Sequence, residues 1–288
     1  MKNKIFFILI IMPLCLTMFH GCMRFALKLS PDLFPDLASS FFEECDPELA
    51  KSSIPANLKM LEGLLKSDPG NKEILQSLSM GFCGYSMLFL ESDSPKRASD
   101  LYCRARNYGL NALGYWLDKS GTIAPNMISS LLKKAGKKDL EALLWTTVSW
   151  NAWINLNLNE PTALSQFGLS QACLERLLEI DGDYQHGLPY ILKGVSLAAI
   201  PPMLGGDPEK ARQFFEKALE LGNRKYFLAQ YYFARHYAVR VQDRDLFSSL
   251  LEEIIKGDPR ELKDACLINS VMQDKALQLS ENIEDLFL

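Results

Sequence analysis

The side chains that most often carry chemistry are sparse in this chain of 288 residues, which has three histidines. His20 lies in the apolar N-terminal stretch, which leaves His186 and His236 in the body, and neither belongs to H-E-x-x-H or another metal-ligand pattern. Gly168-Leu169-Ser170-Gln171-Ala172 has the outline of a nucleophile elbow. It lacks the closing glycine and any preceding strand, so Ser170 reads instead as a helix N-cap. Carboxylates pair at Glu252-Glu253, but on exposed helix positions with no acid-base partner, and no G-x-x-x-x-G-K-[ST] phosphate loop is present. The chain therefore offers no catalytic residue, metal site or cofactor site, and reads as a non-enzyme. With 31 basic and 35 acidic residues it also lacks the basic excess that nucleic acid demands.

What the sequence concentrates is apolar and aromatic surface. Three of the four tryptophans, Trp145, Trp150 and Trp153, fall on one predicted helix near residues 138–158. Trp145 and Trp153 share a face and Trp150 flanks it. Such a cluster suits the wall of an apolar ligand cavity, or else the core between stacked helices. The stretch from Tyr190 to Leu204, including Ile200, Pro201, Pro202 and Met203, is apolar apart from Lys193 and Ser196. Its prolines and Gly205-Gly206 end a helix abruptly, at a cavity mouth, a partner surface or a plain corner. The ligand-cavity candidates are thus Trp145, Trp150, Trp153, Tyr190, Met203 and Leu204. Tyr226, Phe227, Tyr231, Tyr232, Phe233 and Tyr237 crowd a further helix on more than one face, for burial between two neighbours or for an interface. Lys133, Lys134, Lys137 and Lys138 surround Gly136 at a helix junction and read as a solvated turn rather than a lipid-headgroup contact.

The elements that must position these residues are helices. Apolar residues recur at helical spacing, as in Ile74/Leu75, Leu78, Phe82, Tyr85 and Phe89, and again in Leu246/Phe247, Leu250/Leu251 and Ile254/Ile255. No sustained two-residue alternation occurs. A capping residue precedes proline at Asp46-Pro47, Ser94-Pro95, Asp207-Pro208 and Asp258-Pro259, each a helix-start signal. A gapless shift of 113 residues pairs Leu61, Leu64, Leu65 and Asp68 with Leu174, Leu177, Leu178 and Asp181. The same shift pairs Gly81 with Gly194, Pro95 with Pro208, Ala98 with Ala211, Tyr102 with Phe215 and Ala105 with Ala218, an internal duplication. The repeated Ala-x3-aromatic-x2-Ala is the second-helix pattern of tetratricopeptide (TPR) repeats: alanines admit close helices and the aromatic fills between them. The expectation is an all-α, degenerate TPR-like solenoid of helical hairpins forming a single domain over residues 45–288. At about 34 residues per hairpin it has room for roughly seven pairs.

The N-terminus sets the compartment. Lys2 and Lys4 precede an uncharged run from Ile5 to Phe19, short for a membrane span but suited to a signal peptide. Gly21-Cys22 follows and resembles a bacterial lipobox, with Phe19 and His20 where Leu or Val and a small residue are usual. Residues 1–21 are thus expected to be a lipoprotein signal peptide with Cys22 lipidated, or alternatively an uncleaved anchor, and residues 22–44 a tether with a first short helix. Losing two lysines leaves 29 basic against 35 acidic residues, a mature charge of −6. Of the seven cysteines, Cys45, Cys83, Cys103, Cys173 and Cys266 remain in the body. Their spacing gives no disulfide framework. Burial as small apolar side chains is expected for most, with one bridge such as Cys83–Cys103 as the alternative.

Five stretches then resemble one family. They are residues 46–69 (DPELAKSSIPANLKMLEGLLKSDP), 94–113 (SPKRASDLYCRARNYGLNAL), 144–154 (LWTTVSWNAWI), 201–221 (PPMLGGDPEKARQFFEKALEL) and 242–259 (QDRDLFSSLLEEIIKGDP). Together they are similar to the T component (TatT-like) of TPR-protein-associated TRAP transporters over nearly all of residues 45–288. The most specific motif is Pro-x-x-Leu-Gly-Gly-Asp followed by Glu-Lys-Ala, from Pro201 to Ala211. The resemblance implies a non-catalytic lipoprotein on the periplasmic side of a bacterial membrane, a homotrimer of TPR hairpins that binds the TRAP solute-binding (P) subunit. It further implies a hydrophobic cavity or pore through each protomer that holds a hydrophobic or lipid-like molecule. The alternative is a general TPR envelope lipoprotein that scaffolds a protein complex without binding a small molecule.

Overall fold

The computed structural model describes residues 33–116, 123–200, 203 and 205–287. The signal segment 1–21, Cys22, Pro201, Pro202 and Leu204 lie outside the described residues. Every regular element within them is helical: α1 (Leu33–Phe42), α2 (Pro47–Ser67), α3 (Lys72–Phe89), α4 (Pro95–Ala112) and α5 (Pro125–Lys134). They continue with α6 (Leu140–Leu156), α7 (Pro161–Ser165), α8 (Phe167–Asp181), α9 (Tyr184–Ala199) and α10 (Pro208–Leu221). α11 (Phe227–Tyr232) runs on through a π-helical stretch, Phe233–Ala238, to a last turn, Val239–Val241. α12 (Arg244–Lys256), α13 (Cys266–Glu281) and α14 (Ile283–Leu286) complete the chain.

Two of the four start signals work as capped helices. Asp46 accepts from the backbone N–H groups of Glu48 and Leu49 at the head of α2, and Asp207 accepts from Lys210 N–H at the head of α10. Pro95 opens α4, although the Ser94 hydroxyl makes no capping bond. Asp258-Pro259 opens only the short 3₁₀ turn Pro259–Glu261. Ser170 departs from the N-cap expectation. α8 starts earlier, at Phe167, so Ser170 is a buried interior residue whose hydroxyl donates back to the Phe167 carbonyl at 2.9 Å.

The duplication read from sequence appears as matched helices. A shift of 113 residues carries Pro95, the first residue of α4, onto Pro208, the first residue of α10, and Lys72, the first residue of α3, onto Gln185 near the start of α9. Each pair packs as a hairpin, α3 on α4 and α9 on α10. Ala98, Tyr102 and Ala105 are fully buried, as are Ala211, Phe215 and Ala218. Close approach at the echoed glycines follows the same logic but toward different neighbours. A Cβ on Gly81 would stand 2.6 Å from Leu58 of α2, and one on Gly194 would stand 2.8 Å from the Phe215 ring of α10.

Packing runs along the chain, α4 on α6, α6 on α8, α8 on α9, and the α11 run on α12 and α9. The ends then meet. α13 lies against α1, α2 and α3, so the last long helix returns to the first ones. Cys45, just before α2, is disulfide-bonded to Cys266, the first residue of α13, across 221 residues of sequence. Cys83, Cys103 and Cys173 are free thiols, which replaces the Cys83–Cys103 alternative with a different pair. Cys83 and Cys173 fill the core as expected, and burial pushes both thiols up to about 12. No helix among the described residues is long and apolar enough to cross a membrane.

Candidate functional site

The packed helices leave space between them. The larger chamber has a volume of about 630 Å³ and is walled by α3, α4, α6, α8, α9 and the α11 run. This lies within the range of about 300–1,000 Å³ typical of small-molecule sites. Hydrocarbon dominates its sides, with Val148 and Ile154 from α6 facing Leu188, Leu192 and Val195 from α9. These α9 positions recur at helical spacing, which turns one apolar face inward. Leu158, Leu164 and Ile200 also line the chamber; Leu158 and Leu164 are solvent-exposed at its edge.

A second, smaller chamber of about 80 Å³ lies under α1 and is almost wholly apolar. Phe34, Phe41 and Phe42 of α1 cover it against Leu58, Met80 and Tyr85. Met87 belongs to the walls of both chambers. So does α6, which shows Trp145 to the small chamber and, one turn later, Val148 to the large one. An unbranched thioether with three rotatable bonds is the softest partition available in a core.

The polar groups of the large chamber collect at one end. Tyr102 donates its hydroxyl to Glu91 Oε2 at 2.7 Å. Tyr232, Arg235 and His236 project from the start of the π-helical stretch, where the added residue per turn re-aims side chains. Tyr232 and His236 rings meet edge-on at 5.0 Å, and burial holds the His236 imidazole down at about 4, so it is neutral at pH 7. Lys275 of α13 donates to the Met87 carbonyl at 3.0 Å, and burial pulls its ammonium below the usual range. Asn151 and Ser196 face the chamber with their bonds taken: Gln171 donates to Asn151 and accepts from Ser196.

The sequence candidates fall in several places. Trp145 lines the small chamber and stacks on Phe42 at 6.5 Å. Trp150 is fully buried and Trp153 half-buried, and both turn toward Arg106 of α4 instead of the large chamber. The Arg106 guanidinium sits 5.5 Å above Trp150 and 5.1 Å above Trp153. It also donates to Gln166 Oε1, which accepts from Trp150 Nε1 at 2.9 Å. Tyr190 stacks on Phe214 at 5.9 Å and closes over Gly182. Met203 is 89% exposed. The Tyr226–Tyr237 aromatics are buried between helices, with Tyr232 alone reaching the chamber. His186 pairs with Asp264 at 3.0 Å on the surface, and the lysines around Gly136 form a turn tied down by Lys72 to Asp139 at 2.7 Å. Among the described residues no cluster of His, Cys, Asp and Glu could hold a metal ion.

A family model described as the TRAP transporter T-component matches residues 43–287. The chain belongs to this family. It is also similar to an uncharacterized protein of Treponema pallidum (strain Nichols), 22% identical over 271 residues, which is 88% of this chain and 84% of that protein. Membership makes the chain an auxiliary component associated with a TRAP transporter. The duplicated hairpins and closed helical path described above are the form this T-component takes.

Proposed function

We propose that this T-component is a non-catalytic, lipid-anchored accessory protein on the periplasmic side of a bacterial membrane. It engages the solute-binding (P) subunit of its TRAP system as a homotrimer, and its large chamber holds a hydrophobic or amphipathic molecule on the way to the permease. The observation that carries this is the chamber itself. About 630 Å³ of mainly apolar space between α3, α4, α6, α8, α9 and the α11 run has the dimensions of a ligand site. One further observation supports the reading. The Cys45–Cys266 bridge is at home in an oxidising, extracytoplasmic compartment.

Lipidation of Cys22, outside the described residues, supplies the anchor, and α1 links it to the body. The test is affinity capture of the tagged full-length protein from its own membranes, followed by native mass spectrometry and lipid extraction. The expected result is a trimer, with Cys22 acylated, that carries the TRAP solute-binding subunit and a co-purifying amphiphile. A stable monomer overturns the oligomeric assignment. A trimer that brings neither solute-binding subunit nor amphiphile overturns the transport role and favours a scaffold.

A further inference from the structure

The walls of the large chamber are apolar, but the end formed by Glu91, Tyr102, Tyr232 and Arg235 carries charge. Arg235 lines the chamber at its solvent-exposed edge, and the one hydrogen bond it makes to the described residues runs from Nη1 to the Tyr231 hydroxyl at 3.3 Å. A guanidinium offers five N–H donors in a planar fork, so most of its donor capacity remains for whatever fills the space before it. Lys275 stands behind the same wall, bonded to the Met87 carbonyl. Among the described residues, no carboxylate reaches ion-pair distance of either cation. Glu91 acts on both from farther away and is itself engaged by Tyr102. Neutral His236 adds no charge, and Asp93, the other acid felt by Lys275, is solvent-exposed. The chamber edge therefore presents Arg235 as a cation with spare donors beside hydrocarbon walls, with Lys275 behind the wall.

A solvent-exposed guanidinium at the rim of an apolar cleft lets one molecule bury its hydrocarbon while its head stays at the water boundary, and a planar anionic head meets an arginine fork through two parallel bonds. From this juxtaposition we propose that the chamber takes a single-chain amphiphile with an anionic head, carboxylate or phosphate. The head binds at Arg235, and the chain lies along Leu188, Leu192, Val195, Val148 and Ile154. The assignment rests on the chamber being the ligand site, as proposed above, and adds the chemical class of the ligand and the residue that selects it.

The test uses the detergent-extracted full-length protein and native mass spectrometry with dodecanoate, dodecyl phosphate and dodecanol at equal concentrations. The wild type is expected to retain at least one of the two anions about 10-fold more tightly than the alcohol, roughly 1.4 kcal/mol of discrimination. Whichever anion is favoured identifies the head. In Arg235→Gln that preference should vanish while dodecanol binding stays unchanged, and Arg235→Lys should keep part of it. Equal retention of anions and alcohol by the wild type overturns the head-group assignment without recourse to any variant, as does an undiminished preference in a folded Arg235→Gln. Failure of all three amphiphiles to bind the wild type instead overturns the chamber as a ligand site. A chamber-filling Val195→Trp should weaken all three together, and if it leaves them unchanged the ligands sit elsewhere.

Discussion

Arg106 shows how much a single side chain organises here. It is 5% exposed, lies over two tryptophans, and shares Gln166 with the Trp150 indole, so α4, α6 and the start of α8 converge on one guanidinium. Arg106→Met should keep much of the volume but leave Gln166 and Asn107 without their charged donor. The expected loss is about 2–4 kcal/mol, the sum of a desolvated cation–π contact and charge-assisted hydrogen bonds. Chemical denaturation checks it, and Arg106→Lys should recover little, because a point ammonium cannot stack and fork at once. A loss under about 0.5 kcal/mol in Arg106→Met would show the cluster to be passive. The tryptophans were conspicuous in the sequence because the residue type is rare and its helical spacing can be counted. Their direction was not, because Trp150 and Trp153 share a helix with Val148 and Ile154, and only the neighbours decide which side faces the chamber. Arg235 gave no signal at all. Its aim depends on a π-helical stretch that no residue pattern announces.

At the level of elements, helix type, start signals and the duplicated hairpin were legible, since periodicity and proline placement are local properties. Helix-to-helix distance is also partly legible, through small residues, and it yields a pair of opposite expectations. At Gly109 of α4, a Cβ would stand 2.1 Å from Thr146 Oγ1 and 2.8 Å from Ser79 Oγ. Thr146 cannot turn away without losing its 2.6 Å bond to the Ala142 carbonyl. Gly109→Ala should therefore destabilise by about 1–3 kcal/mol, the usual cost of overpacking a tight contact. Gly63 of α2 is exposed and a Cβ there meets nothing within 4 Å, so Gly63→Ala should stabilise by about 0.5–1 kcal/mol through the lost freedom of the unfolded chain. Thermal melts resolve the two, at about 2–4 °C per kcal/mol for a chain of this size. Adding Thr146→Ala to Gly109→Ala should return part of the loss; strict additivity of the two changes would mean that the pair does not touch.

For the whole molecule, the decisive feature is that the two ends are joined, and this was the least legible from sequence. Five cysteines at irregular spacing admit many pairings, and the pair that forms is set by where α13 lands, a long-range outcome. An open helical stack is stabilised by nearest neighbours alone, so its terminal units fray first. Here α13 is held against α1, α2 and α3 by the Cys45–Cys266 bridge, by Lys275 on the Met87 carbonyl and by the Lys263–Glu43 pair at 2.8 Å. Of these, the exposed ion pair contributes little and the covalent link most. Replacing both cysteines by alanine should cost about 2–5 kcal/mol, the span expected for a bridge closing a long loop. The loss should also be local in onset. Hydrogen exchange in α12 and α13 should quicken before that in α4 and α6, because once the bridge is gone the C-terminal helices can leave without unfolding the hairpins behind them. The same opening exposes the partition at Met87 and the far wall of the chamber. An amphiphile that the bridged protein retains should therefore dissociate faster from the double-alanine variant, with little change in its rate of entry at low occupancy. Uniform acceleration of exchange along the whole chain, with amphiphile release unchanged, would mean that the bridge stabilises the fold without closing the ring.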